Sequence, residues 1–269
     1  MKASADEPES ATMTTIHPTA IVEPGAELDE GVAIGAYSIV GAHVKIGRAT
    51  RVMPHVFLDG WTTIGEGCVI FPFASIGTQT QDLKYKGAVT FVEIGDHTTL
   101  REYVTVNAGT NEGDVTRVGA GCHICAYCHV AHQCLVGNNV IMSNATNLAG
   151  HVIVEDDAVF GGMGGVHQFA RIGRLCMIGA CSKATQDIPP FMMADGNPAA
   201  IHGLNTIGLQ RHGVTEAVRR TLKEAYRILY RENLPTRAAL EKMKDELPIC
   251  PELNHLIAFV SASERGIAR

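Results

Sequence analysis

The chain has 269 residues, is 46% hydrophobic and carries a formal net charge of −6. This length suits one large domain, or one domain with a smaller partner domain, and the acidic balance argues against general nucleic-acid binding. Residues 1–13 are acidic and polar without an apolar region, so they are interpreted as a disordered leader and not as a secretory signal. With no apolar run long enough to span a membrane, we expect a cytoplasmic protein whose eight cysteines stay reduced.

An aliphatic or other large apolar residue recurs at every sixth position from Ile16 to Ile76, again from Ile94 to Val106, and again from Val118 to Ile178. A small or β-branched residue commonly follows four positions later. A period of six fits neither an amphipathic helix nor an alternating strand, but it is typical of a hexapeptide β-helix. The sequence therefore predicts a mainly-β fold, with a parallel β-helix over residues 14–190.

Two segments interrupt this repeat, residues 77–93 and 107–117, and both are predicted to leave the coil as loops. In the first, Asp82 and Ala88 stand where aliphatic residues belong. Loops on a rigid scaffold commonly carry function. The stretch "QDLKY" combines a carboxylate, an ammonium group and an aromatic ring, so it either binds a sugar or forms an ordinary solvated tip.

After Ile178 the repeat stops, and "QDIPPFMMADGNPAAIHG" is interpreted as a Pro/Gly-rich junction. Residues 191–269 are predicted to form a C-terminal α-helical domain. Thr215 is the expected N-cap of a helix over residues 215–232, and "PTRAALEKMKDEL" and "PELNHLIAFVSASE" predict two more helices. A local excess of Lys and Arg between residues 203 and 231 favours an anionic partner, with a solvated helix face as the alternative.

The stretch "CHICAYCHVAHQC" at residues 122–134 resembles a zinc site in composition. Its cysteines at 122, 128 and 134 nevertheless occupy the small inward position of the hexads, as do Cys68 and Cys176. Free cysteine packs as a small hydrophobe, and side chains inside a filled prism cannot surround a metal tetrahedrally. We therefore expect buried thiols and no metal site.

The histidines of this stretch fall outside the core positions. Counting by eighteen from His132 gives Gly150 and then Gln168, so these three residues are expected to stack on consecutive coils, flanked by His151 and His167. A histidine beside a backbone N–H can serve as a general base next to an oxyanion site. The alternative interpretation is a solvated polar edge.

The motifs "IHPTAIVEPGA", "FASIGTQTQDLKY", "HVAHQC", "NLAGHV", "GGMGGVHQF", "PPFMMADGNPA" and "SERGIAR" together resemble the acyl-[acyl-carrier-protein]–UDP-N-acetylglucosamine O-acyltransferases, which catalyse the first step of lipid A synthesis. The resemblance covers Ile16 to Arg269. It implies a left-handed coil, a homotrimer with a cleft between neighbouring prisms, and transfer of a 3-hydroxyacyl chain from acyl carrier protein to UDP-N-acetylglucosamine. No cofactor or metal is implied, because a thioester is already an activated donor.

The same resemblance implies roles for individual residues. His132 would be the general base, and the Gly150 N–H would hold the oxyanion. Met177 and Ala180 would form the ruler that sets acyl length. The residues implied to bind substrate are Asp82, Lys84, His129, His151, His167, Gln168, Asn205 and Arg211.

Four residues depart from the family pattern: Gln133 after the catalytic histidine, His212 where many members have a second arginine, Asn107 where many have histidine, and Ile207 where an acidic residue is common. Members commonly have Asp after the catalytic histidine, whereas this chain has Gln133, and a neutral amide is expected to stabilise an imidazolium less well than a carboxylate. Three alternatives stay open: the related N-acyltransferase of the same pathway, a γ-type carbonic anhydrase-like zinc prism, and a non-catalytic prism that only binds acyl carrier protein. The acyl length, and the choice between a 3-hydroxyl and a 3-amino acceptor, are also left open.

Overall fold

The computed structural model describes residues 13–269, so the predicted leader lies, apart from Met13, outside the described residues. Parallel strands form three sheets that are the faces of a prism. Sheet 1 contains β1 (Thr15–Ile16), β4 (Ala33–Ile34), β7 (Arg51–Val52), β10 (Val69–Ile70), β13 (Thr99–Leu100), β16 (His123–Ile124), β19 (Ile141–Met142), β22 (Val159–Phe160) and β25 (Met177–Ile178). Sheet 2 contains β2 (Ile21–Val22), β5 (Ile39–Val40), β8 (Phe57–Leu58), β11 (Ser75–Thr78), β14 (Thr105–Asn107), β17 (His129–Val130), β20 (Asn147–Leu148), β23 (Gly165–Val166) and β26 (Lys183–Ala184). Sheet 3 contains β3 (Glu27–Leu28), β6 (Lys45–Ile46), β9 (Trp61–Ile64), β12 (Phe91–Ile94), β15 (Val115–Val118), β18 (Leu135–Val136), β21 (Ile153–Val154) and β24 (Arg171–Ile172).

The aliphatic and the small residue of each hexad point into the prism, as the sequence predicts. Ile124 pairs with Met142 on the next coil, and both are fully buried. The small positions are equally enclosed, as Cys122 and Cys128 show. Ile16 is 48% exposed because it lies in the first coil of the part of the chain that the structure describes. The coil is left-handed.

Both predicted loops leave the prism at one edge, between sheets 2 and 3. The first spans residues 79–90 and the second residues 108–114, so each is shorter than the segment predicted from the broken repeat. The difference arises because β11, β12 and β15 each have four residues, and these longer strands take up the ends of the predicted loops.

The Pro/Gly-rich junction contains a β-hairpin that the sequence interpretation missed, so the segment 191–269 does not begin as helix. Strand β27 (Met192–Gly196) pairs in parallel with β25, and β28 (Ala199–Leu204) pairs antiparallel with β27. The hairpin extends sheet 1 past the last hexad and covers its edge, with Met192 and Ala194 buried.

Four helices follow: α1 (Thr206–Arg211), α2 (Glu216–Arg231), α3 (Thr236–Glu246) and α4 (Pro251–Ser261). Thr215 caps α2 as predicted, accepting a hydrogen bond from the Val218 N–H. The chain end returns to the prism, where the Ser263 hydroxyl donates to the buried Asp187 carboxylate at 2.8 Å. Across residues 13–269, none of the helices combines the length and apolarity that a membrane crossing requires.

Candidate active site

The predicted column of polar residues lies on the edge between sheets 2 and 3, which we call the histidine edge and define by His132, Gly150 and Gln168. Backbone hydrogen bonds join its coils: the His151 N–H donates to the His132 carbonyl at 3.0 Å, and the Phe169 N–H donates to the Gly150 carbonyl at 3.1 Å. Both loops leave from this same edge, so the loop residues and the histidines meet there.

The imidazole of His132 lies directly against the Gly150 backbone. A Cβ atom built on Gly150 would sit 2.5 Å from His132 Nε2 and 3.0 Å from Nδ1. Within the described range, the Gly150 N–H donates to no backbone carbonyl. The site therefore places the His132 ring against the Gly150 backbone, and only glycine allows so close an approach.

His132 is hydrogen-bonded to Gln133 and, through it, to Asp114, a residue that the sequence analysis did not single out. Its Nδ1 bonds the Gln133 side-chain oxygen Oε1, and Gln133 Nε2 donates in turn to Asp114 Oδ2. Because Oε1 only accepts, Nδ1 carries the proton and Nε2 keeps its lone pair. A signal for Asp114 was present in the sequence, since counting back by eighteen from His132 reaches it.

Asp82 and Lys84 lie in the first loop, and Asp82 ties that loop to the second one. Its Oδ1 accepts from the Lys84 N–H at 3.0 Å, and its Oδ2 accepts from the Thr110 hydroxyl at 3.2 Å. The Lys84 N–H, the Thr110 hydroxyl and the nearby positive charges of His132 and Lys84 hold the pKa of Asp82 below its ordinary value. A carboxylate anion therefore stands close to His132, and the Lys84 side chain is exposed.

Two further histidines border His132. His129 Nδ1 bonds the Thr105 hydroxyl at 2.7 Å, and the His151 ring meets the His132 ring edge-on with centroids 5.3 Å apart. Burial, followed by the charge of His132, lowers the pKa of both His129 and His151. These two imidazoles are therefore biased toward their neutral form.

Grooves run along both sides of the histidine edge. The groove on sheet 2, about 360 Å³, is lined mainly by apolar atoms and includes His129, Gly165 and His167. The groove on sheet 3, about 730 Å³, includes Gln133, His151 and Arg265. Gln168 and His167 are exposed on the rim between them.

Four of the predicted site residues lie elsewhere on the chain. Asn205 is at the edge between sheets 3 and 1, where its side chain donates to the Leu175 carbonyl at 3.0 Å and accepts from the Gly208 N–H at 3.0 Å. Arg211 is exposed at the end of α1. Ala180 is exposed at the edge between sheets 1 and 2, and Met177 is half-buried in sheet 1. One protomer therefore does not bring these residues to His132.

The cysteines of the opening motif are packed inside the prism. Burial raises the pKa of Cys122 and Cys128 to about 11 and that of Cys134 to about 12. All eight cysteines lie in the described range and are free thiols. Over residues 13–269, His, Cys, Asp and Glu side chains form no group of three or more that could hold a metal ion.

A left-handed hexapeptide prism with a histidine ring packed against a glycine backbone on its outer edge fits the hexapeptide-repeat acyltransferases. Residues 187–268 match the family model described as Udp N-acetylglucosamine O-acyltransferase; Domain 2. The chain belongs to the family of acyl-[acyl-carrier-protein]–UDP-N-acetylglucosamine O-acyltransferases. A member from Thermodesulfovibrio yellowstonii is 50% identical over 258 residues, covering 96% of this chain and 100% of the relative. A member from Thiobacillus denitrificans is 48% identical over 258 residues, covering 96% of this chain and 100% of that relative.

Solved structures agree with this assignment. The structure of LpxA from Acinetobacter baumannii superposes with a TM-score of 0.91 at 39% identity, covering 94% of this chain and 99% of that one. The UDP-N-acetylglucosamine acyltransferase from Campylobacter jejuni gives a TM-score of 0.89 at 38% identity, again covering 94% and 99% of the two chains. The predicted family and fold are therefore confirmed.

Proposed function

We propose that this chain transfers a 3-hydroxyacyl group from acyl carrier protein to the 3-hydroxyl of UDP-N-acetylglucosamine, the first step of lipid A synthesis. The names of its relatives support the donor and the acceptor. The observation that carries the proposal is the placement of the His132 imidazole against the Gly150 backbone. We also propose a cytoplasmic location, which eight unpaired thiols support.

In this mechanism Nε2 of His132 removes the proton from the sugar 3-hydroxyl as that oxygen attacks the thioester carbonyl. The carbonyl oxygen becomes an oxyanion and accepts a hydrogen bond from the Gly150 N–H. When the intermediate collapses, the C–S bond breaks and the imidazolium returns its proton to the departing thiolate of the carrier. A thioester needs no further activation, so we propose that the reaction uses neither metal nor cofactor.

Asp82 and Lys84 would contact the sugar from the first loop, because Asp82 is held within electrostatic range of His132. His129, His151, His167 and Gln168 would line the cleft. The apolar groove on sheet 2 runs from the histidine edge toward the edge that carries Ala180, which suits an extended acyl chain.

We further propose a homotrimer in which each cleft lies between two prisms. This arrangement is supported by the location of Asn205 and Arg211, which lie on a different edge of the prism from His132. In such an assembly Arg211 of one subunit would face the histidine edge of its neighbour and approach the nucleotide phosphates. The amide oxygen of Asn205 caps α1 by accepting from the Gly208 N–H, and its amide nitrogen donates to the Leu175 carbonyl, so Asn205 would position that helix on the prism.

His132→Ala tests the base. We expect kcat to fall about 10²–10⁴-fold, the range typical of a general base, with the trimer still folded because His132 lies outside the core positions. His123→Ala is the matched control, since His123 is an exposed histidine of the same segment on sheet 1. Near-normal acyl transfer by the His132→Ala protein, measured with purified carrier thioester, would refute the assignment of His132 as the general base.

Subunit mixing tests the shared cleft. His132→Ala and Arg211→Ala proteins are each expected to be weak, whereas co-refolded mixtures should regain activity at clefts that combine both native residues. If mixtures stay at the average of the two parents, the cleft does not lie between subunits.

A further inference from the structure

The histidine edge contains a hydrogen-bonded path that connects the proposed base to a carboxylate on the second loop. The path runs from His132 Nδ1 to the Gln133 amide oxygen, and from the Gln133 amide nitrogen to Asp114 Oδ2. Gln133 therefore separates the imidazole from the carboxylate by the length of a single amide group.

Both ends of this path are anchored, which fixes the direction of the amide. Asp114 Oδ2 also accepts from the Asn111 N–H at 2.6 Å and from the Thr110 N–H at 3.2 Å. The Gln133 N–H donates to the Thr116 hydroxyl at 2.9 Å, and Gln133 holds the left-handed backbone conformation of the turn, with φ of 54°. Because a carboxylate accepts only, the amide must present its N–H₂ to Asp114 and its oxygen to His132.

We propose that Gln133 and Asp114 are positioning residues that hold His132 in its Nδ1–H tautomer and stabilise the imidazolium formed during acyl transfer. The inference rests on the proposed role of His132 as the base. The carboxylate polarises the amide, so the oxygen that faces Nδ1 is a stronger acceptor than that of an isolated amide. No proton passes through the amide; His132 alone exchanges protons with the substrates.

Several charged or titratable groups surround His132 and must be separated from this effect. Asp82 and Lys84 approach from the first loop, Asp114 from the second, His129 from β17 and His151 from the next coil. Removing the negative charge of Asp114 makes the imidazolium less stable, so the ascending limb of the kcat/KM profile should move to lower pH.

Asp114→Asn tests the charge with little change in shape, because the asparagine carbonyl oxygen can still accept from Gln133. We expect the ascending limb to move by about 0.5–1 pH unit to lower pH and kcat to fall about 3–10-fold, since the Gln133 amide stands between the carboxylate and the imidazole and weakens the effect of the charge. Glu112→Gln is the matched control, a carboxylate-to-amide change in the same loop at a residue that bonds Val89 instead. It should leave the limb in place.

A charge transposition separates an electrostatic role from a merely structural one. Gln133→Glu places two carboxylates in contact and should lower kcat about 10–100-fold. The double variant Gln133→Glu/Asp114→Asn restores one carboxylate and one amide in the reverse order, so its kcat should recover at least tenfold over Gln133→Glu and its limb should lie at higher pH than that of Asp114→Asn.

The decisive measurement is the pH profile of kcat/KM for all four variants beside His132→Ala. If the ascending limb does not move in Asp114→Asn and the double variant does not recover activity, the positioning role of Gln133 and Asp114 is overturned. The proposed role of His132 as the base survives that result if His132→Ala is inactive. An active His132→Ala protein would instead overturn the base itself, so the two failures are distinguishable.

Discussion

Gly150→Ala is the sharpest single test of the geometry at the histidine edge. The added methyl would stand 2.5 Å from His132 Nε2, about 1 Å inside ordinary contact distance, so the ring must withdraw by roughly that amount. A misplacement of about 1 Å at a reacting group can cost about 10²-fold in rate, and we expect kcat to fall by that factor. The Gly150 N–H is retained, so the loss would report displacement of the proposed base and not removal of the proposed oxyanion donor.

The fold should tolerate this substitution. Gly150 does not adopt the left-handed conformation that would exclude alanine, and the half-buried His132 ring can swing toward solvent. We expect the melting temperature to stay within about 3 °C of that of the parent. Gly203→Ala is the control, because a Cβ at Gly203 meets nothing within 4 Å. A Gly150→Ala enzyme with parental kcat in a carrier-thioester assay would refute the close packing of ring and backbone.

Four further predictions concern the acyl chain length, the thiols, metal dependence and the pH dependence of stability. Ala180→Gly should move the optimum to longer acyl chains and Ala180→Met to shorter ones, in a graded way, because one methylene in a hydrophobic pocket is worth only about 1–3 kcal/mol; an unchanged profile across an acyl series would place the ruler elsewhere. A thiol reagent should label the exposed Cys181 fast and the five buried thiols only after unfolding. Chelators should change neither the activity nor the melting temperature, and stoichiometric zinc in the purified protein would contradict the expectation that the cysteines bind no metal. Burial lowers the pKa of the His129 imidazole below its ordinary value of 6.5. As the pH falls, the unfolded chain therefore binds a proton at this residue before the folded chain does. The stability that the neutral imidazole contributes is present above pH 6.5 and is lost as the pH falls toward the folded-state pKa. His129→Asn should flatten that loss in thermal melts, and an equally steep loss in the variant would assign it to other groups.

The prism could be predicted from sequence because each hexad is a local unit. The spacing of eighteen residues between Val40, Leu58 and Ile76 places one buried residue on each turn of a triangular coil. The six-residue period therefore predicts both the core and the stacking of His132 on Gly150. The hairpin at residues 192–204 escaped prediction since its pairing partner, β25, is set by tertiary contact and its Pro and Gly residues suggest a loop.

The hydrogen-bonded partners of His132 illustrate a second limit of prediction from sequence. Gln133 reads as the loss of a carboxylate when the sequence is taken residue by residue, yet the structure shows its amide bound to Asp114 across one coil. The same holds for Asn205, whose two hydrogen bonds to the Leu175 carbonyl and the Gly208 N–H depend on how α1 packs on the prism. Side-chain directions of this kind are set by packing that periodicity does not encode.

The most direct test of the proposed function is the product made by the wild-type enzyme. UDP-N-acetylglucosamine and, separately, its 3-amino analogue are incubated with a panel of 3-hydroxyacyl carrier proteins, and the products are identified by mass and by the position of the new bond. We expect an ester at the sugar 3-oxygen from the first acceptor, formed at one preferred acyl length without added metal. Acyl transfer to the amine alone, or no transfer to either acceptor, would contradict it.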